Sequence, residues 1–221
     1  MKILIHAVPQ RMWYVNDFLI PALRAQGAEQ IEVWNDVQRT GNLAACMASF
    51  AAREGNGGTW HLQDDVLPCR DFVARCRELD EGVVYGFCCR NFDDRLDAFG
   101  TVYTPDAWHS FQCIRIPDAY ARDCAAWVDS LAWRTESPSA ELPILHKLGK
   151  GDDTFFHEYM NTKHPYDIVE NVRPNLVEHV DWLLGGSTVQ DWRDYLARAE
   201  FWDDEALVDA LRARIRTRVK S

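Results

Sequence analysis

Thr59-Trp60-His61-Leu62-Gln63-Asp64-Asp65-Val66 is the stretch on which the reading of this chain turns. Gly55-Asn56-Gly57-Gly58 precedes it and breaks any helix before it. Thr59–Leu62 is then a short apolar run between turn signals, the mark of a buried strand. It runs straight into two neighbouring carboxylates. A strand end places side chains rigidly. Hard divalent cations such as Mg²⁺ and Mn²⁺ take oxygen ligands, commonly one or two carboxylates plus substrate phosphates. Acidic pairs also occur on many solvated loops, so the meaning of Asp64-Asp65 depends on what surrounds it.

Upstream, Lys2–Val8 is another apolar run, closed by Pro9, and predicts a buried first strand. Val15, Phe18, Leu19, Ala22 and Leu23 recur at helical spacing and Gly27 ends the run, so Val15–Gln26 predicts a helix. Ile31–Trp34 predicts a second strand and Asn42–Arg53 an Ala-rich helix. Downstream, Pro68–Leu79 predicts a helix and Val83–Cys89 a strand. The first half therefore reads β-α-β-α-β-α-β, which implies a mainly parallel sheet flanked by helices. Ligands in such sheets bind beyond the carboxyl ends of the strands. Those ends carry Arg11, Asn35-Asp36 and Asp64-Asp65 in turn.

The second half is less regular. Residues 91–110 are aromatic and polar without period and read as loop or short strand. Phe111–Ile116 predicts a strand, and Pro117 suits the first position of the helix that Tyr120, Cys124, Trp127, Val128 and Leu131 continue. Ser137–Gly151 reads as a connection, and a helix begins at Asp152-Asp153. Trp192, Leu196 and Ala199, then Leu207, Leu211, Ile215 and Val219, mark closing helices. The expected organisation is one α/β domain over residues 1–190 with a C-terminal helical extension over 191–221.

The chain has 221 residues and a net charge of −10, so its overall field does not draw nucleic acid. The balance is uneven: Arg212, Arg214, Arg216, Arg218 and Lys220 make the tail basic. A solvated face is the ordinary meaning of such a tail, and contact with an anionic partner is the rarer one. Seven cysteines occur with no CxxC pair, a pattern of neither a zinc cluster nor a disulfide framework. It implies buried thiols in a reducing, cytoplasmic setting. The opening apolar run is too short for a signal peptide or a membrane span.

A late histidine can return to an acidic pair as an imidazole ligand, although a lone His is more often structural. His179 lies in Pro174-Asn175-Leu176-Val177-Glu178-His179, with Ser187 following. In this segment and in Asp64-Asp65 the chain resembles the GT-A glycosyltransferases, which transfer a sugar from a nucleoside diphosphate. The acidic pair is similar to their Asp-x-Asp element, and the late segment resembles the Pro-Ser-Leu-x-x-His…Ser stretch of some branches, whose His completes the metal shell. Gln63 departs from the pattern, standing where an acidic residue often stands.

The resemblance implies a GT-A-like, Rossmann-like fold and a metal-dependent enzyme that moves a sugar from a UDP-sugar to a hydroxyl, with inversion. It implies Mn²⁺ or Mg²⁺ on Asp65, with Asp64 as ligand or sugar contact and His179 as third ligand. It places Arg11 at the nucleotide phosphates or base, Asp36 at the base or ribose, and Asn42 at the nucleotide. A catalytic base is expected at Asp153 or Asp152, where one carboxylate caps the helix and the other acts; Asp152 is better placed to cap. Bland alternatives stand beside these roles: Asp36 as a turn residue, Arg11 as a surface charge, and Ser187-Thr188-Val189-Gln190 as a capping box. Phe92, Phe99, Tyr103, Trp108 and Phe111 offer rings for an acceptor, or core packing. The acceptor is open among a saccharide, a small molecule, a protein and a modified nucleobase of phage-type DNA. Two other functions share the acidic strand end: a metal-dependent phosphohydrolase or nuclease, and a non-catalytic nucleotide- or carbohydrate-binding domain.

Overall fold

A computed structural model describes residues 1–38, 40–80, 82–86, 101–103, 111–135, 152–165, 169–172 and 176–180, with a few single positions besides. The strands are β1 (Lys2–Ala7), β2 (Gln30–Asn35), β3 (Gly58–Gln63), β4 (Val66–Pro68), β5 (Val84–Gly86), β6 (Thr101–Tyr103), β7 (Cys113–Pro117), β8 (Val169–Asn171) and β9 (Val177–His179). The α-helical segments are α1 (Met12–Tyr14), α2 (Ile20–Ala25), α3 (Asn42–Ala51), α4 (Phe72–Arg77), α5 (Asp118–Thr135) and α6 (Asp152–Lys163). Among the described residues no helix is long and apolar enough to cross a membrane. Apart from Asp209 and Ala213, which are helical, the closing helices expected over 191–221 lie outside what is described, as do the connection 137–151, the capping box at Ser187 and the rings of Phe92, Phe99, Tyr103 and Trp108.

Seven strands form one sheet in the order β2-β1-β3-β7-β5-β8-β6, and β4 pairs with β9 in a second, two-stranded sheet. The strands β2, β1 and β3 are parallel, as expected. The sheet as a whole is mixed, because β7 runs antiparallel to both β3 and β5. Direction is the one property that an apolar run does not encode: β5 and β8 pair in parallel and share the direction of β1, β2 and β3, whereas β7 and β6 run against them, so the expected mainly parallel sheet is interrupted by these two strands. Pro117 closes β7 instead of opening α5.

Alternation along the central strands builds two cores. Ile3, Ile5 and Ala7 of β1 and Trp60 and Leu62 of β3 face one side, where Leu19, Leu23, Phe72 and Val73 cover them. On the other side Cys46 and Phe50 of α3 meet Cys124 of α5 and Phe156 and Tyr159 of α6. Burying both faces of β1 and β3 is the main stabilising term of the fold. The chain leaves β1 toward the first face and β2 toward the second. That reversal is a topological switch point, and open α/β sheets bind ligands beyond the carboxyl ends of their strands at such points.

The entry from β1 into α2 is irregular. Pro9–Arg11 forms a 3₁₀ turn and Val15–Leu19 a π turn, so the helical run changes pitch twice beside the strand ends. Gln26, at its far end, receives the Val73 N–H at 3.1 Å and donates to the Cys69 carbonyl at 2.8 Å, satisfying backbone groups at the start of α4. On the other flank, Thr59 donates to Asp118 at 2.6 Å and locks the start of β3 to the start of α5.

Gly58 is required by its neighbour. A Cβ there would overlap the guanidinium of Arg115, which is buried and donates to the carbonyls of Asp80 at 2.9 Å and Val83 at 3.0 Å. Gly58→Ala is expected to lower unfolding free energy by about 1–3 kcal/mol through overpacking. Urea denaturation checks this, and a change within experimental error would mean that Arg115 yields without loss.

Candidate functional site

The strand ends meet in a buried cluster of charge. Pro9 bends the chain just beyond β1, and the 3₁₀ turn, closed by Arg11 N–H to the Val8 carbonyl at 3.0 Å, swings Arg11 back over the sheet. Arg11 is 5% exposed. Its Nη1 donates to Asp64 Oδ1 at 2.9 Å and to Asp65 Oδ2 at 2.6 Å. The Val8 N–H fills the other oxygen of Asp64 at 2.7 Å. His179 arrives from the small sheet: β9 pairs with β4 with His179 opposite Val66, and the Val180 N–H binds the Asp65 carbonyl at 2.7 Å. The His179 Nε2 then lies 3.2 Å from Asp65 Oδ2. The bland alternative of Arg11 as a surface charge is excluded by its burial.

The two carboxylates are not equivalent. Burial disfavours charge on Asp65, yet the hydrogen bond and charge of His179, joined by Arg11, hold it well below the usual carboxylate range. Burial and the neighbouring Asp65 charge push Asp64 up to about 6, against the pull of Arg11 and the Val8 N–H. Asp65 is thus the firmly ionised member. Its Oδ1 is buried and accepts no hydrogen bond. Buried carboxylate oxygens are nearly always satisfied, so this oxygen is of the kind that a cation can satisfy.

The other expected site residues lie in different surroundings. The Asp36 carboxylate accepts from Thr40 N–H at 2.9 Å, Thr40 Oγ1 at 3.0 Å and Gly41 N–H at 3.2 Å. It therefore shapes the loop into α3, the turn role that its sequence context allows. Those bonds hold it below its ordinary range although burial opposes them. Asn42, first in α3, donates to Asp152 Oδ1 at 2.6 Å. Asp152 Oδ2 accepts from Gln63 at 3.3 Å, and burial together with the Asp153 charge pushes Asp152 up to about 7. Asp152, expected to cap α6, takes the Asp153 N–H at 3.0 Å and its own N–H from its helix, and its other partners lie across the protein. Asp153, half-buried on the same turn, is the more accessible carboxylate. Phe111 is a core residue, packed on Phe50 and Phe156.

The structure thus brings Arg11, Asp64, Asp65 and His179 together and sets Asn42 and Asp152 in a second group. Sequence reading missed that group's remaining members, His6, Cys46 and His61. The available signal was a histidine in each of two apolar strand runs. Register places Leu4 opposite His61, so His6 and His61 lie on one face two residues apart. Nothing in the sequence points to Cys46.

Removing Arg11 leaves two buried carboxylates without their cation. Arg11→Ala is expected to destabilise the fold by about 3–5 kcal/mol, and adding Asp64→Asn is expected to recover part of that loss. Chemical denaturation of the three proteins tests it; additive losses would show that the charges do not interact.

No family model matches the chain, and no curated protein matches it. Among solved structures it is similar to A197 from STIV at 14% identity and a TM-score of 0.39, over 81% of this chain and 85% of that one.

Proposed function

We propose that this chain is a metal-dependent glycosyltransferase of the GT-A type, moving a sugar from a nucleoside diphosphate sugar, UDP-linked by preference, to a hydroxyl acceptor. The supporting observation is the meeting of His179 with Asp65 at 3.2 Å, where the chain passes from β3 into the β4–β9 pair directly after the acidic pair. The resemblance in the sequence requires that meeting, and neither residue's local sequence forces it. The topological switch between β1 and β3 puts these residues where open α/β sheets bind ligands, which favours a donor site beside them.

The donor set fits a hard divalent cation. Asp65 offers an ionised, buried oxygen without a partner, and His179 an imidazole nitrogen on the same carboxylate. Asp65 and His179 would hold Mn²⁺ or Mg²⁺, which supplies charge neutralisation for the departing diphosphate. Asp64 has both oxygens engaged and serves to orient Arg11. Arg11 neutralises the acidic pair while no donor is present. A guanidinium also binds phosphate bidentately, so Arg11 exchanges carboxylate partners for diphosphate oxygens as the donor enters.

Asp153 acts as the base. The acceptor oxygen forms a bond to the anomeric carbon, the bond from that carbon to the phosphate oxygen breaks, and the acceptor proton passes to the Asp153 carboxylate. The products are the inverted glycoside and the nucleoside diphosphate. A two-metal phosphohydrolase wants several carboxylates free for metal. Here Asp64 is saturated, and Asp152 is tied to Asn42 and Gln63.

Thermal melting with UDP, GDP, CDP and their sugar conjugates, with and without Mn²⁺, tests the donor site. One nucleotide is expected to raise the melting temperature only with Mn²⁺, and the rise is expected to vanish in Asp65→Asn and His179→Gln. A folded wild-type protein that responds to no nucleotide would sink the proposal. For the chemical step, Asp153→Asn is expected to slow sugar transfer about 10²–10⁴-fold while nucleotide binding stays within a few fold. Unchanged turnover would remove Asp153 from the mechanism.

A further inference from the structure

On the α3 and α6 face of the sheet, beside the acidic pair, four side chains of metal-ligating type converge. His6 comes from β1, His61 from β3, Cys46 from α3 and Asp152 from the start of α6, and their ligand atoms all lie within 4.8 Å of one another. All are buried: His6 is 6% exposed, Asp152 2%, and Cys46 and His61 0%. We propose that His6, Cys46, His61 and Asp152 form a closed zinc site that fastens α3 and α6 to the central strands.

His61 is the independent sign of a missing partner. Neither of its ring nitrogens has a hydrogen-bond partner. The rings of Phe50 and Phe111, at 5.6 and 5.4 Å, wall it in and offer no polar atom suited to a ring nitrogen. A buried imidazole left dry at both nitrogens keeps the desolvation cost of each orphaned group, and a metal bond removes one of those costs. His6 lies alongside with its ring centroid 5.8 Å away.

Charge and softness select the ion. A thiolate and a carboxylate together carry two negative charges, so Zn²⁺ leaves the buried site neutral, the condition for placing ions out of water. Two imidazoles and a sulfur suit zinc and disfavour Mg²⁺ or Mn²⁺. Tetrahedral zinc draws nitrogen, oxygen and sulfur donors to roughly 3.3–3.8 Å of one another. The side chains therefore stand within about 1–1.5 Å of the closed arrangement. Asn42 and Gln63 already hold the Asp152 carboxylate, as outer partners of metal ligands do. Four protein ligands and complete burial leave no open position, so the role is structural.

The site is distinct from the one assigned to Mn²⁺ because it contains sulfur, and that difference supplies the test. The full chain is stripped with a chelator and titrated with Co²⁺ alone, then with Zn²⁺. One equivalent of Co²⁺ per chain is expected to give a thiolate-to-cobalt charge-transfer band in the near ultraviolet, and Zn²⁺ to abolish it. Cys46→Ser is expected to lose that band, and Asp65→Asn to keep it. Gln63→Ala, which removes no ligand, is expected to weaken Zn²⁺ affinity about 10–100-fold. A folded wild-type protein without the band overturns the proposal, as does a Cys46→Ser protein that retains it. Should Cys46→Ser not fold, unaltered Zn²⁺ affinity in Gln63→Ala overturns it instead.

Discussion

The strand ends of this protein are organised by one interaction, the guanidinium of Arg11 between the carboxylates of Asp64 and Asp65. Two adjacent carboxylates out of water repel each other and pay a desolvation cost that only a cation at contact distance offsets. The surrounding backbone serves that need. The 3₁₀ turn after β1 carries Arg11 inward, the Val8 N–H takes up the remaining oxygen of Asp64, and the pairing of β4 with β9 delivers His179 to Asp65. The pitch changes that follow Pro9 fit the same constraint, since a regular helix starting at the strand end would have a different path past the acidic pair.

The strand that carries the acidic pair also separates two chemistries. His61 and Gln63 project to the α3 and α6 face, and Gln63 reaches Asp152 there. The next residue, Asp64, turns to Val8 and Arg11. The sulfur-containing group and the acidic pair are thus held on opposite sides of neighbouring residues. Gln63 suits this divide. An acidic side chain at that position would set a third carboxylate against Asp152, whereas the neutral amide donates a hydrogen bond to it. The departure from the Asp-x-Asp pattern has, in this way, a local physical reason.

Much of the frame was legible in the sequence. Apolar runs and turn residues located β1, β2, β3 and β7, helical spacing located the segments around α2 and α5, and an Ala-rich run and an acidic start located α3 and α6. The three-residue strands β4, β8 and β9 were not legible, because a piece that short has no period and exists only through its partner. The direction of β7 was hidden for the same kind of reason. An apolar strand reads alike in both directions, and the connections on either side decide. Within the site, Arg11, Asp64, Asp65 and His179 were identifiable as charged residues at strand ends or in a resembling segment. Asp36 and Asn42 were identifiable as polar residues, but their partners Thr40, Gly41 and Asp152 were not.

By itself the sequence determined what is local: where apolar runs must be buried, where glycine and proline end them, and that two carboxylates stand at the end of a strand. Those properties depend on neighbours a few residues apart. Tertiary structure alone decided that Arg11 neutralises the acidic pair, that His179 reaches it, and that His6, Cys46, His61 and Asp152 converge. Each of those meetings joins different elements across the sheet. Its geometry comes from strand order, register and the packing of helices on the two faces, and none of these is written in the spacing of any one segment.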